Sequence, residues 1–201
     1  SGQEFRENGG EPRPVEGFSI DYEIESVENY LAASHEKPFF LYYSIMPPHM
    51  PVADMPEKYL NMYLPDDVPL RPNVYIDGKL PYSEGWFLTY LWDFMYYHEK
   101  APHTLNLPEG FDLKTLTALY YGATTWVDDT VGRLMRALET NRLAENTVVV
   151  FTSDHGDNLG SHHEWNKGLL IDESIRIPMI YWAPGRWRNR VVTSQVAQTI
   201  D

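Results

Sequence analysis

The sequence predicts an α/β fold with a mostly parallel central sheet, and three observations carry that prediction. The first is the apolar, β-branched run 147–152, which stops abruptly at Asp154-His155-Gly156. Apolar runs of this length, bounded by turn signals, read as strands buried on both faces, the habit of parallel sheets. The second is a long stripe just before it, where Leu113, Leu116, Tyr120, Ala123, Val127 and Val131 recur at steps of three and four. That spacing makes one apolar face on a helix. The third is the order helix, strand, helix, strand, loop, strand, which indicates layered α/β packing.

The elements follow in order. Residues 1–17 are polar and rich in Gly, Pro and Glu, and read as an irregular lead-in. Ile24, Val27, Tyr30 and Leu31 predict a helix over 21–33, with Ser19 or Asp21 as its N-cap. Pro38 breaks that pattern, and 39–46 reads as a buried strand ended by Pro47-Pro48 before His49. Residues 51–111 are rich in Pro and aromatics, with a short helix expected near 56–63. A segment this long without clear elements is usually a lid or binding region. Its Trp86, Phe87, Tyr90 and Trp92 read as core and cover more readily than as a ligand platform. Asp112 can cap the long helix, which runs to Leu138, and Ile177–Trp182 reads as a further strand closed by Ala183-Pro184-Gly185.

Composition bounds the function. The 201 residues suit one domain with a sizeable core. A formal charge of −13 argues against nucleic acid as a partner, because phosphate neutralisation needs clustered Lys and Arg. Any anionic substrate must therefore meet a locally positive site against a repulsive field. No cysteine is present, which excludes disulfides, thiolate metal sites and a Cys-derived nucleophile within these residues. No apolar stretch approaches the ~20 residues of a membrane span. The opening residues show no signal peptide; the start at Ser1 and the stop at Thr199-Ile200-Asp201 suggest an internal piece.

Chemistry is concentrated beyond the 147–152 strand, where open α/β sheets bind ligands. Asp154 and His155 offer a carboxylate oxygen and an imidazole nitrogen, suited to a divalent cation. The alternative is a capping Asp beside a surface His, and Gly156, which permits close backbone approach or positive φ, favours the metal reading. Lys167 is a compact cation fit for an oxyanion, or a solvated side chain. His49 also follows a strand at the presumed carboxyl edge. His162 and His163 can add donors or simply stand exposed. Asp128 and Asp129 point about 100° apart on a helix, so they form no dyad; Asp129 is placed for an i,i+4 pair with Arg133.

These residues, taken in series, resemble the sulfatases of the alkaline-phosphatase-like superfamily. The resemblance rests on Lys37–Tyr42 with Pro48–Pro51, Trp126–Leu134, Thr147–Gly156, Leu159–His162, Asn166–Gly168 and Glu173–Met179. It covers 20–201, with little in 51–111. It implies that 18–201 is the second, C-terminal half of a catalytic domain, part of an α/β/α sandwich, with 51–111 inserted. It implies a sulfuric-ester hydrolase using one divalent cation, usually calcium, with magnesium as another option. Asp154 and His155 match two metal ligands; Lys167 and His49 match side chains that hold sulfate oxygens and assist the leaving group, with His162 as a further substrate contact. The form Asp-His-Gly followed by Leu-Gly-Ser-His is similar to relatives acting on sulfated glycans, and the family suggests a periplasmic, secreted or lysosomal setting. The family's nucleophile, a formylglycine made from Cys or Ser in a C-x-P-S-R type motif, has no counterpart here. The piece alone is therefore expected to be inactive. Two other expectations stand beside this one: a phosphodiesterase or phosphonate hydrolase of the same superfamily, and a non-catalytic module.

Overall fold

The computed structural model describes residues 4–49, 52–75, 77–78, 111–164 and 166–187. Its organising element is the long helix. Asp112 caps it through its carboxylate, which accepts the Thr115 N–H at 2.8 Å, and helix α3 then runs Leu113–Thr140. Helices α1 (Ser19–Ala32) and α2 (Glu57–Leu60) both pack on it. α1 starts at Phe18 with no side-chain cap, so neither Ser19 nor Asp21 takes the capping role the sequence suggested. α2 can lie close because Gly122 has no side chain: a Cβ there would stand 2.3 Å from the Tyr59 carbonyl oxygen.

The α3 stripe divides into two apolar clusters. Leu113, Leu116, Ala123 and Trp126 bury with Ile20, Val52 and Val74 at the N-terminal end. Leu138 buries with Ile24, Val27 and Leu31 of α1 at the other. The charged rim differs from the sequence expectation. Asp129 bonds Lys58 Nζ at 2.8 Å and Tyr59 Oη at 2.7 Å, while Arg133 forks onto Glu28 at 2.9 and 2.7 Å. The i,i+4 pair gives way because α1 and α2 bring better-aligned partners across the helix faces.

Several details of the strands differ from expectation. Strand β3 (Val149–Thr152) pairs with β4 (Met179–Trp182) in antiparallel register, Val149 opposite Trp182 and Thr152 opposite Met179. Among the described residues this pair is antiparallel, a local departure within the mostly parallel sheet that the sequence predicts. β3 is also not buried on both faces: Val149 packs on the α1/α3 cluster, while Val150 is 49% exposed. Residues 39–46 form no ladder among the described residues, although their side chains alternate as a strand's would. Phe39, Leu41 and Tyr43 face the core, and Phe40 and Tyr42 face outward. The lead-in is not wholly irregular, since β1 (Glu4–Phe5) and β2 (Arg13–Pro14) form a two-residue antiparallel ladder. The expected core aromatics Trp86, Phe87, Tyr90 and Trp92 lie outside the described residues.

Candidate active site

The site is built on the turn that leaves β3. Ser153 Oγ donates to the His155 carbonyl at 2.7 Å, and the Asp154 carboxylate accepts the His155 N–H at 2.9 Å. Gly156 then passes against the short helix α4 (Asp172–Ile175), its N–H donating to the Ser174 carbonyl at 2.8 Å. A Cβ at Gly156 would lie 2.0 Å from the Glu173 carbonyl oxygen. Close approach, not positive φ, is the reason for glycine here.

The tautomer of His155 follows from its contacts. Nδ1 lies 2.8 Å from the Gly156 carbonyl oxygen, which can only accept, so Nδ1 carries the proton. In the neutral ring Nε2 is then a lone pair, and it faces Asp154 Oδ2 at 3.3 Å. Two electron-rich atoms oppose each other unless a proton or a cation stands with them. A metal-binding histidine is commonly oriented in this way, one nitrogen tied to a carbonyl and the other directed to the ion. The Asp154 side chain is 82% exposed. Desolvation is the largest single influence on its carboxyl and opposes ionisation, but the His155 N–H, the positive charge of a protonated His155 ring, the Asp154 N–H and the Ser153 hydroxyl together outweigh it and hold the pKa below the usual range. The donor set thus fits one side of a divalent-cation site. It supplies two ligands where a divalent ion takes four or more, and no group of three or more His, Cys, Asp or Glu is arranged to hold a metal among the described residues.

The loop from Asp157 to Gly168 carries the cations. It is strained, with Leu159, His162, His163 and Asn166 all at positive φ, and such strain persists only where surroundings over-determine it. Here Asn158 N–H bonds the Asn166 carbonyl at 2.8 Å and Gly160 N–H bonds the Glu164 carbonyl at 2.9 Å. Arg71 Nη1 clamps the outside, bonding the Asn158 carbonyl and Ser161 Oγ, each at 3.1 Å. Lys167 is partly buried and close enough to act electrostatically on Asp157, as is His155. Burial pushes the Asp157 carboxyl up, and the Leu159 N–H, Lys167, the Asn166 N–H and His155 pull it back. Tyr120 reaches this cluster from α3: burial, assisted by Asp157 and Asp154 against Arg71, pushes its phenol up to about 12.

The sequence-predicted residues divide accordingly. Asp154 and His155 lie together on the turn after β3, 3.3 Å apart, and Lys167 and His155 both act electrostatically on Asp157. His162 is exposed at the other side of the loop, its Nε2 receiving Asn73 Nδ2 at 3.1 Å and lying 3.5 Å from Glu173 Oε2. His49 occupies a separate turn after the cis Pro47-Pro48 bond, with its N–H on the Met46 carbonyl at 3.0 Å. Sequence reading missed Arg71, Asn73, Tyr120, Asp157 and Glu173. Asp157 had a signal, being a third acid or base within five residues of a strand end. Arg71 and Asn73 had none, because they arrive from a segment without periodicity.

Comparison with known proteins decides the family. The family model described as Sulfatase matches residues 17–201. The chain belongs to the sulfatase family. Iduronate 2-sulfatase of Mus musculus is 32% identical over 152 residues, covering 74% of this chain and 27% of the relative. The structure of yidJ of Bacteroides fragilis, assigned as a sulfatase, superposes with a TM-score of 0.67 and 27% identity, covering 90% of this chain and 34% of that one. Phosphonate monoester hydrolase of Agrobacterium radiobacter superposes with a TM-score of 0.62 at 25% identity, over 83% and 33% of the two chains. The α/β class of the alkaline-phosphatase-like fold is therefore the class of this chain, the local antiparallel pair included. The chain spans between about a quarter and a third of the length of the relatives it matches. No described helix is long and apolar enough to cross a membrane.

Proposed function

We propose that the whole protein hydrolyses sulfate esters and that these residues supply one wall of its active site. The observation that carries this is the Asp154–His155 pair, with Nδ1 committed to a carbonyl and Nε2 held 3.3 Å from a carboxylate oxygen. Asp154 Oδ2 and His155 Nε2 would hold a divalent cation, calcium by family likeness, which neutralises charge on the sulfate oxygens when bound. Lys167 presents its ammonium to the same oxygens, where charge grows as the S–O bond breaks. By family likeness His49 shares that task, and either His49 or Lys167 protonates the departing alcohol. His162 contacts the rest of the substrate. The nucleophile, a formylglycine by family likeness, comes from outside these residues.

The substrate reading is a sulfated glycan, supported by the likeness to iduronate 2-sulfatase and by the Leu159-Gly160-Ser161-His162 loop. Sulfate release by the whole protein tests the assignment: Asp154→Ala and Lys167→Ala should each lose at least about a hundredfold in kcat/KM, and full activity in both would refute it. Residues 1–201 alone should show no turnover. A second reading, phosphonate or phosphodiester hydrolysis, is favoured by the superposition on phosphonate monoester hydrolase. Comparing kcat/KM for aryl sulfate and aryl phosphonate esters separates the two.

A further inference from the structure

One edge of the His162 ring is held by two residues that the sulfatase reading leaves without a task. Asn73 Nδ2 lies 2.6 Å from Glu173 Oε1 and 3.1 Å from His162 Nε2. An amide oxygen at that place would set two acceptors 2.6 Å apart, so the nitrogen faces Glu173. Its two hydrogens then go to the carboxylate and to the imidazole. Nε2 accepts with its lone pair, and the neutral ring carries its own proton on Nδ1. Protonation leaves that donor in place. Nε2–H then meets Glu173 Oε2, 3.5 Å away, a buried oxygen with no hydrogen-bond partner among the described residues. The His162 side chain is 52% exposed, so it offers its surroundings a fixed Nδ1–H donor.

Both ends of this arrangement are anchored. His162 sits at φ of 54° in the strained loop that Arg71 clamps through Ser161 Oγ at 3.1 Å. Glu173 is fixed to the Asp154-His155-Gly156 turn, because its carbonyl oxygen would stand 2.0 Å from a Cβ at Gly156 and the Gly156 N–H bonds the Ser174 carbonyl at 2.8 Å. Helix α4 thus meets that turn through its backbone and His162 through the Glu173 side chain.

We propose that Asn73, oriented by Glu173, is a positioning residue that fixes the tautomer of His162, so that His162 Nδ1–H recognises an acceptor oxygen on the sugar beside the sulfate. The proposal rests on the sulfated-glycan reading above and deepens it. Without Asn73, the group left at Nε2 is Glu173 Oε2, an acceptor. The neutral ring then moves its proton to Nε2, and Nδ1 becomes a lone pair that repels the same sugar oxygen.

The test has two arms, both in the whole protein. The first needs no substrate: nitrogen NMR of histidine-labelled protein at about pH 8, where an ordinary imidazole of pKa about 6.5 is neutral. The signals lost in His162→Ala assign the ring. Nδ1 should carry the proton in the unmutated protein and Nε2 in Asn73→Ala; the same tautomer in both, or the reverse order, overturns the proposal. The second arm is a double-mutant cycle of Asn73→Ala and His162→Ala, reading kcat/KM on monosulfated uronate–hexosamine disaccharides. His162→Ala should lose about tenfold, the worth of one hydrogen bond, and Asn73→Ala about 3- to 10-fold. Once His162 is Ala, the Asn73 change should cost less than about twofold, because the two act as one unit. Each single loss should exceed that on 4-nitrophenyl sulfate, which has no sugar oxygen, by at least about threefold. Equal losses on both substrates, or additive losses in the cycle, overturn the proposal. Should Asn73→Ala not fold, Glu173→Ala, which frees the Asn73 amide to turn, is read in its place by loss of the single Nδ1–H form and by the same cycle. Failure of both to fold beside a folded His162→Ala assigns the pair to loop stability alone and overturns the proposal. Turnover of 4-nitrophenyl sulfate but of no disaccharide is a separate result that removes the glycan reading, and the recognition role with it.

Discussion

Replacing Gly156 with alanine probes the junction on which the site depends. The added Cβ would stand 2.0 Å from the Glu173 carbonyl oxygen and 3.1 Å from its carbon, both backbone atoms that no side-chain rotation can move. Regaining the 3.0 Å that Cβ contacts respect requires the β3–α4 backbones to separate by at least about 1 Å. The Gly156 N–H to Ser174 carbonyl bond, now 2.8 Å, would then stretch to about 3.8 Å, beyond the ~3.2 Å limit of a useful N–H···O bond. Overpacking costs ~1–3 kcal/mol, and a broken intramolecular hydrogen bond ~1 kcal/mol more. The expected loss is about 2–4 kcal/mol, read by equilibrium urea unfolding as a lower midpoint with an unchanged slope. Divalent-cation affinity of the whole protein should fall with it, since Asp154 and His155 ride on the same turn. A loss below about 0.5 kcal/mol, the scatter of neutral surface changes, would show that the two backbones are not locked together and would undo the reasoning.

Other substitutions should behave as follows. Gly132→Ala should stabilise by about 0.5–1 kcal/mol in thermal unfolding, because it sits inside α3, removes a helix-interior glycine and meets only the movable end of Arg136. Asp112→Ala should cost about 1 kcal/mol by urea unfolding, through loss of the cap to Thr115. Glu23 carries the pH prediction. Burial raises its pKa against the opposing influence of the Tyr43 hydroxyl. The folded protein therefore holds that proton more tightly than the unfolded chain. The associated stability is present below the ordinary carboxylate pKa of about 4.3 and is lost as pH rises through the raised value. Glu23→Gln should thus gain stability relative to the unmutated protein above that window, and a melting series across it that shows no divergence would contradict the sign.

Periodicity located α1 and α3 with their buried stripes, residue type the Asp112 cap, and apolar runs bounded by turn signals the strands β3 and β4. Each of these depends on neighbours a few residues apart, so the information is local. The chemistry-bearing residues at the end of β3 were legible for the same reason, as an apolar run ending in Asp-His-Gly. Ion pairing was not: Asp129 and Arg133 take partners some 70 and 105 residues away instead of each other. Strand direction was not legible either, because an apolar run carries no record of which neighbour it will meet, and β3 meets β4 antiparallel.

The sequence by itself determined the family and the helical frame, and it singled out the Asp154-His155-Gly156 turn as the candidate site. Only the tertiary structure decided what surrounds that turn. It showed that Gly156 serves contact with α4 and that Arg71 clamps the loop from outside. It also showed that the loop closes through the Asn158 N–H on the Asn166 carbonyl. Hydrogen bonds and charges act over a few ångströms of space, whereas Arg71 and its partners Asn158 and Ser161 lie 87 and 90 residues apart along the chain.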